Sequence, residues 1–339
     1  MLEFYSDTQT KPTRAMRQAA LDAPLGDERH DADPPTLKLC ERVADMLGME
    51  AAVFLPSGTM CNEIAIAVHT RPGDEVICTR ESHIIFAESG GPAALSGVMM
   101  CPVDGARGML TPQDLSDHIR PLSAHAPRSR LLVAEQTANL AGGAVWPVSQ
   151  LNEVAKAAKA AGLSTHLDGA RILNAQVATG IAAADYARDF DSAWIAFTKG
   201  LGCPVGAVLA GSQDFIREAW LLKRRWGGAM RQTGVLTAMC LYALDNHIER
   251  LAEDHALAKK IGTQLLELPM ISEVQPVETN IVIATLADTA PDARETANFL
   301  RSKSVTITVV GKRKIRIVTH MDVGPEDAQA LIAAFEALA

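Results

Sequence analysis

The chain has 339 residues, 48% of them hydrophobic and only 4% aromatic. That length suits a large domain plus a smaller one, and the aromatic-poor, alanine-rich composition favours helices packed on a sheet over a β-sandwich. The formal net charge of -8 and the dispersed basic residues exclude a nucleic-acid partner, Lys223-Arg224-Arg225 being the main basic run, and no stretch nears the roughly 18 apolar residues of a membrane span.

In chain order, Met1 to Thr10 is polar and has no secretory apolar core. From Ala51 to Ser212, short apolar runs alternate with amphipathic helical stretches. Seven strands are predicted: Ala51-Leu55, Glu75-Thr79, Val98-Val103, Leu131-Glu135, Ser164-Asp168, Ser192-Phe197 and Val205-Ala210. Their brevity and their Gly, Pro or charged borders are those of buried strands. Thr111-Pro112 opens one helix, with Thr as cap and Pro in the first turn. A second helix runs from Pro147 to Ala161 and ends at Gly162. Such alternation predicts an α/β fold, with a mostly parallel sheet and helices on both faces.

Beyond Tyr242 the pattern changes. A charged helix is expected from Asp245 to Leu268, then strands at Asn280-Ala284, Val305-Val310 and Lys314-Val318, and a closing helix from Pro325 to Leu338. These read as a smaller α+β domain, residues 246–339, behind a large domain of residues 1–245. The six cysteines are widely and irregularly spaced with no CxxC pair, so they are expected to be reduced thiols of a cytoplasmic protein, with no metal site.

Chemistry concentrates at strand ends. Ser57-Gly58-Thr59 lies between a strand and a helix, where backbone N–H groups and the helix dipole favour an anion. Taken alone, this is also what an ordinary strand-to-helix turn looks like. Asp168 ends an apolar strand; a carboxylate there needs a partner, either a protonated ring nitrogen or Arg171 three residues on. Lys199 follows another apolar strand beside Gly200 and Gly202. Desolvation there frees an amine for imine formation, whereas a surface-loop lysine would lack that apolar approach. Thr198 adds a hydroxyl, and His83, after the second strand, can stack on a ring or move a proton. Together these supply the anion cradle, ring partner, counter-ion and amine that pyridoxal 5'-phosphate needs.

At these residues the sequence resembles the low-specificity L-threonine aldolases, of the fold-type-I pyridoxal-phosphate superfamily. The resemblance spans nearly the whole chain. It includes Ser6-Asp7-Thr8, Gly26-Asp27, Pro56-Ser57-Gly58-Thr59, His83, Glu135, His166-Leu167-Asp168-Gly169-Ala170-Arg171 and Thr198-Lys199-Gly200-Leu201-Gly202. It continues through Gly228-Ala229-Met230-Arg231-Gln232 and Arg316-Ile317-Val318-Thr319-His320. It implies a lyase that splits L-threonine, L-allo-threonine or a related β-hydroxy-α-amino acid into glycine and an aldehyde. By position, Lys199 would carry the Schiff base, Asp168 would meet the pyridine nitrogen, and His83 would stack on the ring. Ser57, Gly58, Thr59 and Thr198 would surround the phosphate. Ser6, Arg171 and Arg316 would hold the substrate carboxylate, Arg171 also lying near the phenolic oxygen. Arg231, with Arg224 as the weaker candidate, would reach the phosphate across a subunit interface in a homotetramer built from two dimers.

Three departures from the family pattern bear on the substrate's side chain. Ala138 stands where the family often has histidine, His30-Asp31 replaces Tyr-Gly, and Tyr5 replaces an arginine. A roomier pocket is therefore expected beside Ala138. The base for the β-hydroxyl stays open between His83, a water and His30. Two rival readings are another pyridoxal-phosphate lyase or aminotransferase on this fold, and a non-catalytic ligand-binding protein; the intact lysine argues against the latter.

Overall fold

Strands buried on both faces must pair with one another, because they have no polar face to turn to water. In the computed structural model, which describes residues 1–338, seven strands, most of them buried, form one sheet. They are β1 (Ala51–Leu55), β2 (Glu75–Thr79), β3 (Met99–Val103), β4 (Ser129–Glu135), β5 (Ser164–Asp168), β6 (Ser192–Ala196) and β7 (Ala207–Gly211). Their order across the sheet is β1-β7-β6-β5-β4-β2-β3. Neighbours among β2 to β6 pair in parallel, while β7 runs antiparallel to both β1 and β6. Only residues 197–206 join β6 to β7, fewer than the dozen or so that a parallel return needs. The carboxyl ends of β1, β2, β4, β5 and β6 therefore face one edge.

Local signals start and stop the helices as expected. Thr111 caps Pro112–His118 in a reciprocal capping box with Asp114. Helix α1 (Pro34–Leu47) is capped by Asp33 and buries Leu39, Val43 and Leu47. Helix α2 (Gly58–His69) follows β1 directly and lays Cys61, Ile64 and Ala65 against the sheet. The charged helix expected from Asp245 to Leu268 starts later, at Leu251, and runs to Leu266; a separate helix, Gly234–Asn246, precedes it. Between them His247 is buried, with its Nδ1 2.8 Å from the Leu201 carbonyl, which holds the chain in a turn.

A second sheet contains β8 (Ile271–Val274), β9 (Ile281–Leu286), β10 (Thr308–Val309) and β11 (Lys314–Val318), all antiparallel, in the order β10-β11-β9-β8. The expected strand at Val305–Val310 is divided. Val305–Thr306 pairs with Leu2–Glu3, and β10 pairs with β11. The N-terminal segment thus reaches the C-terminal sheet, where Phe4 is fully buried among Ala258, Ile317 and their neighbours. Among the described residues, no helix is long and apolar enough to cross a membrane.

Candidate active site

The strand ends and the second sheet enclose one cavity of about 830 Å³. The sheet edge contributes Ser57, Gly58, Thr59, His83, Glu135, Asp168, Arg171, Thr198 and Lys199; the N-terminal segment adds Ser6, and β11 adds Arg316. This is the crevice outside the carboxyl ends of parallel strands, where open α/β sheets bind ligands.

Lys199 lines the cavity with its ammonium 5.5 Å from the Trp194 ring centroid. Burial and the charge of Arg171 lower its pKa; Asp168, Asp7 and Glu135 oppose them through space. Asp168 is buried and has no cation on it. Its Oδ1 accepts the Ala170 N–H at 3.0 Å and its Oδ2 accepts from the Asn62 amide at 2.9 Å. Asn62 is oriented by the Trp194 indole N–H, which can only donate and reaches its Oδ1 at 2.8 Å. The amide nitrogen must then serve Asp168 and Glu88, at 2.9 and 2.8 Å.

His83 is held at two points. Its backbone N–H donates to Glu135 at 2.7 Å, and its Nδ1 lies 2.7 Å from Glu88 Oε1. Burial works against its protonation, but the Glu88 hydrogen bond and the Asp168 and Glu135 charges prevail and raise its pKa. Glu135 is pushed up to about 7 by burial and by the Asp168 charge.

Two buried guanidiniums share the cavity. Arg171 grips Asp7 with two hydrogen bonds, at 2.8 and 2.6 Å, and Asn280 donates to the same carboxylate at 3.1 Å. Burial opposes the Asp7 charge, yet Arg171 holds that carboxyl far below its ordinary range. Arg316 has no such carboxylate. Its Nη1 donates to Asn139 Oδ1 at 2.7 Å, and its Nε has no acceptor. Burial, then Arg171, lowers its pKa to about 10, which still leaves it charged at neutral pH.

The profile of the beta-eliminating lyase family matches residues 3–289. The chain is 36% identical to the low specificity L-threonine aldolase of Escherichia coli (strain K12), over 99% of both chains. It is equally similar to the probable low-specificity L-threonine aldolase 2 of Arabidopsis thaliana, over 99% of this chain and 96% of that one. The chain belongs to the low-specificity L-threonine aldolase family. Among solved structures, a Leishmania major threonine aldolase shares the fold with a TM-score of 0.83 and 20% identity, over all of both chains. Sphingomonas wittichii serine palmitoyltransferase shares it at 0.75 and 16%, over 99% of this chain and 86% of that one. Membership makes this chain a lyase of the aldolase type.

Against the expectations for a threonine aldolase family member, ten of the thirteen residues singled out from the sequence line the cavity. His30, Arg224 and Arg231 do not; all three are exposed, outside the cavity of their own chain. Arg231 pairs with Asp27 at 2.8 Å, and its carbonyl accepts the Glu28 N–H, so it lies beside His30. Lys223, in the basic run, is fully buried on Glu28 at 2.6 Å. The room expected beside Ala138 is closed. Ala138 is buried with Ala141 and Ala144, and a Cβ on Gly108 would stand 2.9 Å from its methyl. Sequence reasoning gave no role to Asp7, Asn62 or Trp194. Asp7 had a signal in Ser6-Asp7-Thr8, since a buried Arg171 requires a carboxylate; Asn62 and Trp194 had none.

Proposed function

We propose that this chain cleaves L-threonine, L-allo-threonine or a related β-hydroxy-α-amino acid to glycine and an aldehyde, with pyridoxal 5'-phosphate on Lys199. The observation that carries this reading is an amine and a buried carboxylate with no cation on it, Lys199 and Asp168, on adjacent strand ends in one cavity. The donor set fits the cofactor. The first turn of α2, from Ser57 to Thr59, and the Thr198 hydroxyl suit its phosphate, and Asp168 suits a protonated ring nitrogen. When bound, the cofactor supplies an electron sink for the carbanion left at Cα.

The chain's own residues do the rest. The lowered pKa of Lys199 favours the free amine that forms the imine. Arg316 and Ser6 would receive the substrate carboxylate, and Arg171, already neutralised by Asp7, would lie near the cofactor's phenolic oxygen. Of the two candidate histidines, His83 lines its own chain's cavity. With Nδ1 on Glu88, its Nε2 is the atom placed to take the β-hydroxyl proton. Six free cysteines support a reducing compartment, the cytoplasm. Exposed Leu21 and Leu37, on two helices that each pack against Gly234–Asn246, and Val235 on that helix support assembly into a homotetramer.

Borohydride tests the cofactor assignment. The wild-type protein should show a near-visible absorbance band that borohydride abolishes, and Lys199→Ala should lack it. Incubation with L-threonine should release glycine and acetaldehyde. A reducible internal imine in Lys199→Ala would overturn the assignment, and transamination without aldehyde would overturn the reaction.

A further inference from the structure

Behind His83, helix α2 carries a carboxyl group that the proposed reaction leaves unused. Glu63 is 3% exposed, and neither of its oxygens has a hydrogen-bond donor. Glu88, 4% exposed, is the buried carboxyl group beside it: Gly91, which packs on Glu63, donates its N–H to the Glu88 carbonyl at 2.8 Å. Glu88 uses Oε1 twice, toward His83 Nδ1 at 2.7 Å and the Asn62 amide at 2.8 Å, while its Oε2 also lacks a donor. Gly91 presses on the pair from outside: a Cβ there would stand 2.0 Å from Glu63 Oε1.

Two buried carboxylates side by side cannot both stay ionised, and three bare buried oxygens are costly. One proton between the two groups relieves both problems. Glu88, with two nitrogen partners, is the better-stabilised anion; Glu63, with none, is the acid. Burial and then the Glu88 charge raise the Glu63 pKa to about 8.

We propose that Glu63 is a positioning residue, protonated at neutral pH, whose hydroxyl donates to Glu88 and fixes that carboxylate as the orienting partner of His83. The functional meaning rests on the assignment of His83 to the cofactor site; the carboxyl pair itself does not. Asn62 passes the same constraint on to Asp168 at 2.9 Å. The charged groups acting on His83 are Glu88, Asp168 and Glu135. The segment Gly91–Ser96, packed on α2, carries no ionisable side chain. From the strand beneath, His166 faces Asn62, and Lys223 of Gln213–Arg225 is occupied by Glu28. When Glu63 ionises, Glu88 loses its donor and gains a like-charged neighbour. The added negative charge holds the proton on His83 more tightly, so a smaller share of His83 is the free base at a given pH.

The test uses the full-length chain and needs no cofactor turnover. Infrared difference spectra between wild type and Glu63→Gln should show the carbonyl stretch of one protonated carboxylic acid, fading near pH 8. In parallel, histidine-labelled protein is titrated by NMR, with His83 assigned through His83→Gln. Wild type should show the His83 transition and a second inflection near pH 8. Glu63→Gln keeps a donor but cannot ionise, so it should retain the first and lose the second. Glu63→Leu removes the donor and should move the His83 transition upward. The proposal is overturned if wild type lacks the acid band, if the second inflection survives in Glu63→Gln, or if that variant moves the His83 transition downward. Absence of the borohydride-sensitive band would sink the cofactor reading and leave this result standing.

Discussion

Arg316 is a buried cation waiting for an anion. Asn139 and two weaker neutral acceptors hold its guanidinium in place, at 2.7, 3.4 and 3.4 Å, while its Nε stays free. A carboxylate arriving there gains a charge-assisted hydrogen bond, each of which contributes about 1.5 to 3 kcal/mol. Arg316→Ala should therefore raise KM for the amino acid by roughly ten- to a hundredfold. Cofactor absorbance should be unaffected. Arg316→Lys should recover only part of the loss, because a point charge cannot replace the planar fork. An unchanged KM would remove Arg316 from the carboxylate site.

His166 makes a different residue-scale prediction. It is fully buried between Ser192 and Asn62, at 2.8 and 3.2 Å, and burial followed by the His69 charge lowers its pKa to about 3. Its folded pKa lies below the ordinary 6.5, so below that pH the unfolded chain binds the extra proton. The neutral ring's contribution is complete above pH 6.5 and shrinks on acidification toward pH 3. The loss is about 1.4 kcal/mol per pH unit within that window. Denaturant midpoints measured downward from neutral pH should fall, and His166→Gln should flatten the slope. Equal slopes in both proteins would show that this histidine does not drive acid sensitivity.

At the scale of elements, the β1–α2 junction is built around a missing side chain. A Cβ on Gly58 would come within 2.2 Å of the Trp194 ring. The first turn of α2 can lie on the indole, and so on the cavity floor, only because this residue is glycine. Gly58→Ala should cost about 1 to 3 kcal/mol by overpacking, and it should weaken cofactor binding by tilting that turn. Denaturant melts and cofactor titration together check this, and tight cofactor binding in the variant would uncouple the turn from the phosphate. The element was legible because β1 is a short apolar run and Ser57 a good cap. The glycine's use was not, because the sequence does not tell which ring packs beneath it. The edge strand β8 was illegible for another reason: Ser272 and Glu273 are both exposed, so it has no apolar run to recognise.

Across the whole molecule, three of the expected site residues lie outside their own cavity. Arg231 and His30 share an exposed surface, anchored by Asp27 and by the buried Glu28–Lys223 pair. We expect this surface to complete the cavity of a second copy. Mixing Arg231→Ala with Lys199→Ala, each inactive alone, should restore partial activity, because one hybrid site then holds an intact lysine and an intact arginine. Demonstrated subunit exchange without recovery would show that each chain's site is self-sufficient.

By itself, the sequence determined the seven central strands, the helix starts at Thr111 and Ser57, and the strand-end positions of Asp168 and Lys199. These depend on local properties, namely apolar runs, caps and the residue that follows a run. Tertiary structure decided the antiparallel course of β7, the division of the Val305–Val310 segment between two partners, and the filling of the space beside Ala138. It also decided the pairing of Asp7 with Arg171. For the Asp7–Arg171 pair and for Val305–Thr306 on Leu2–Glu3, the deciding neighbour lies far along the chain, brought near by strand order and helix packing. A buried charge or a close-packed methyl is stable only once that neighbour is in place, and no local pattern encodes it.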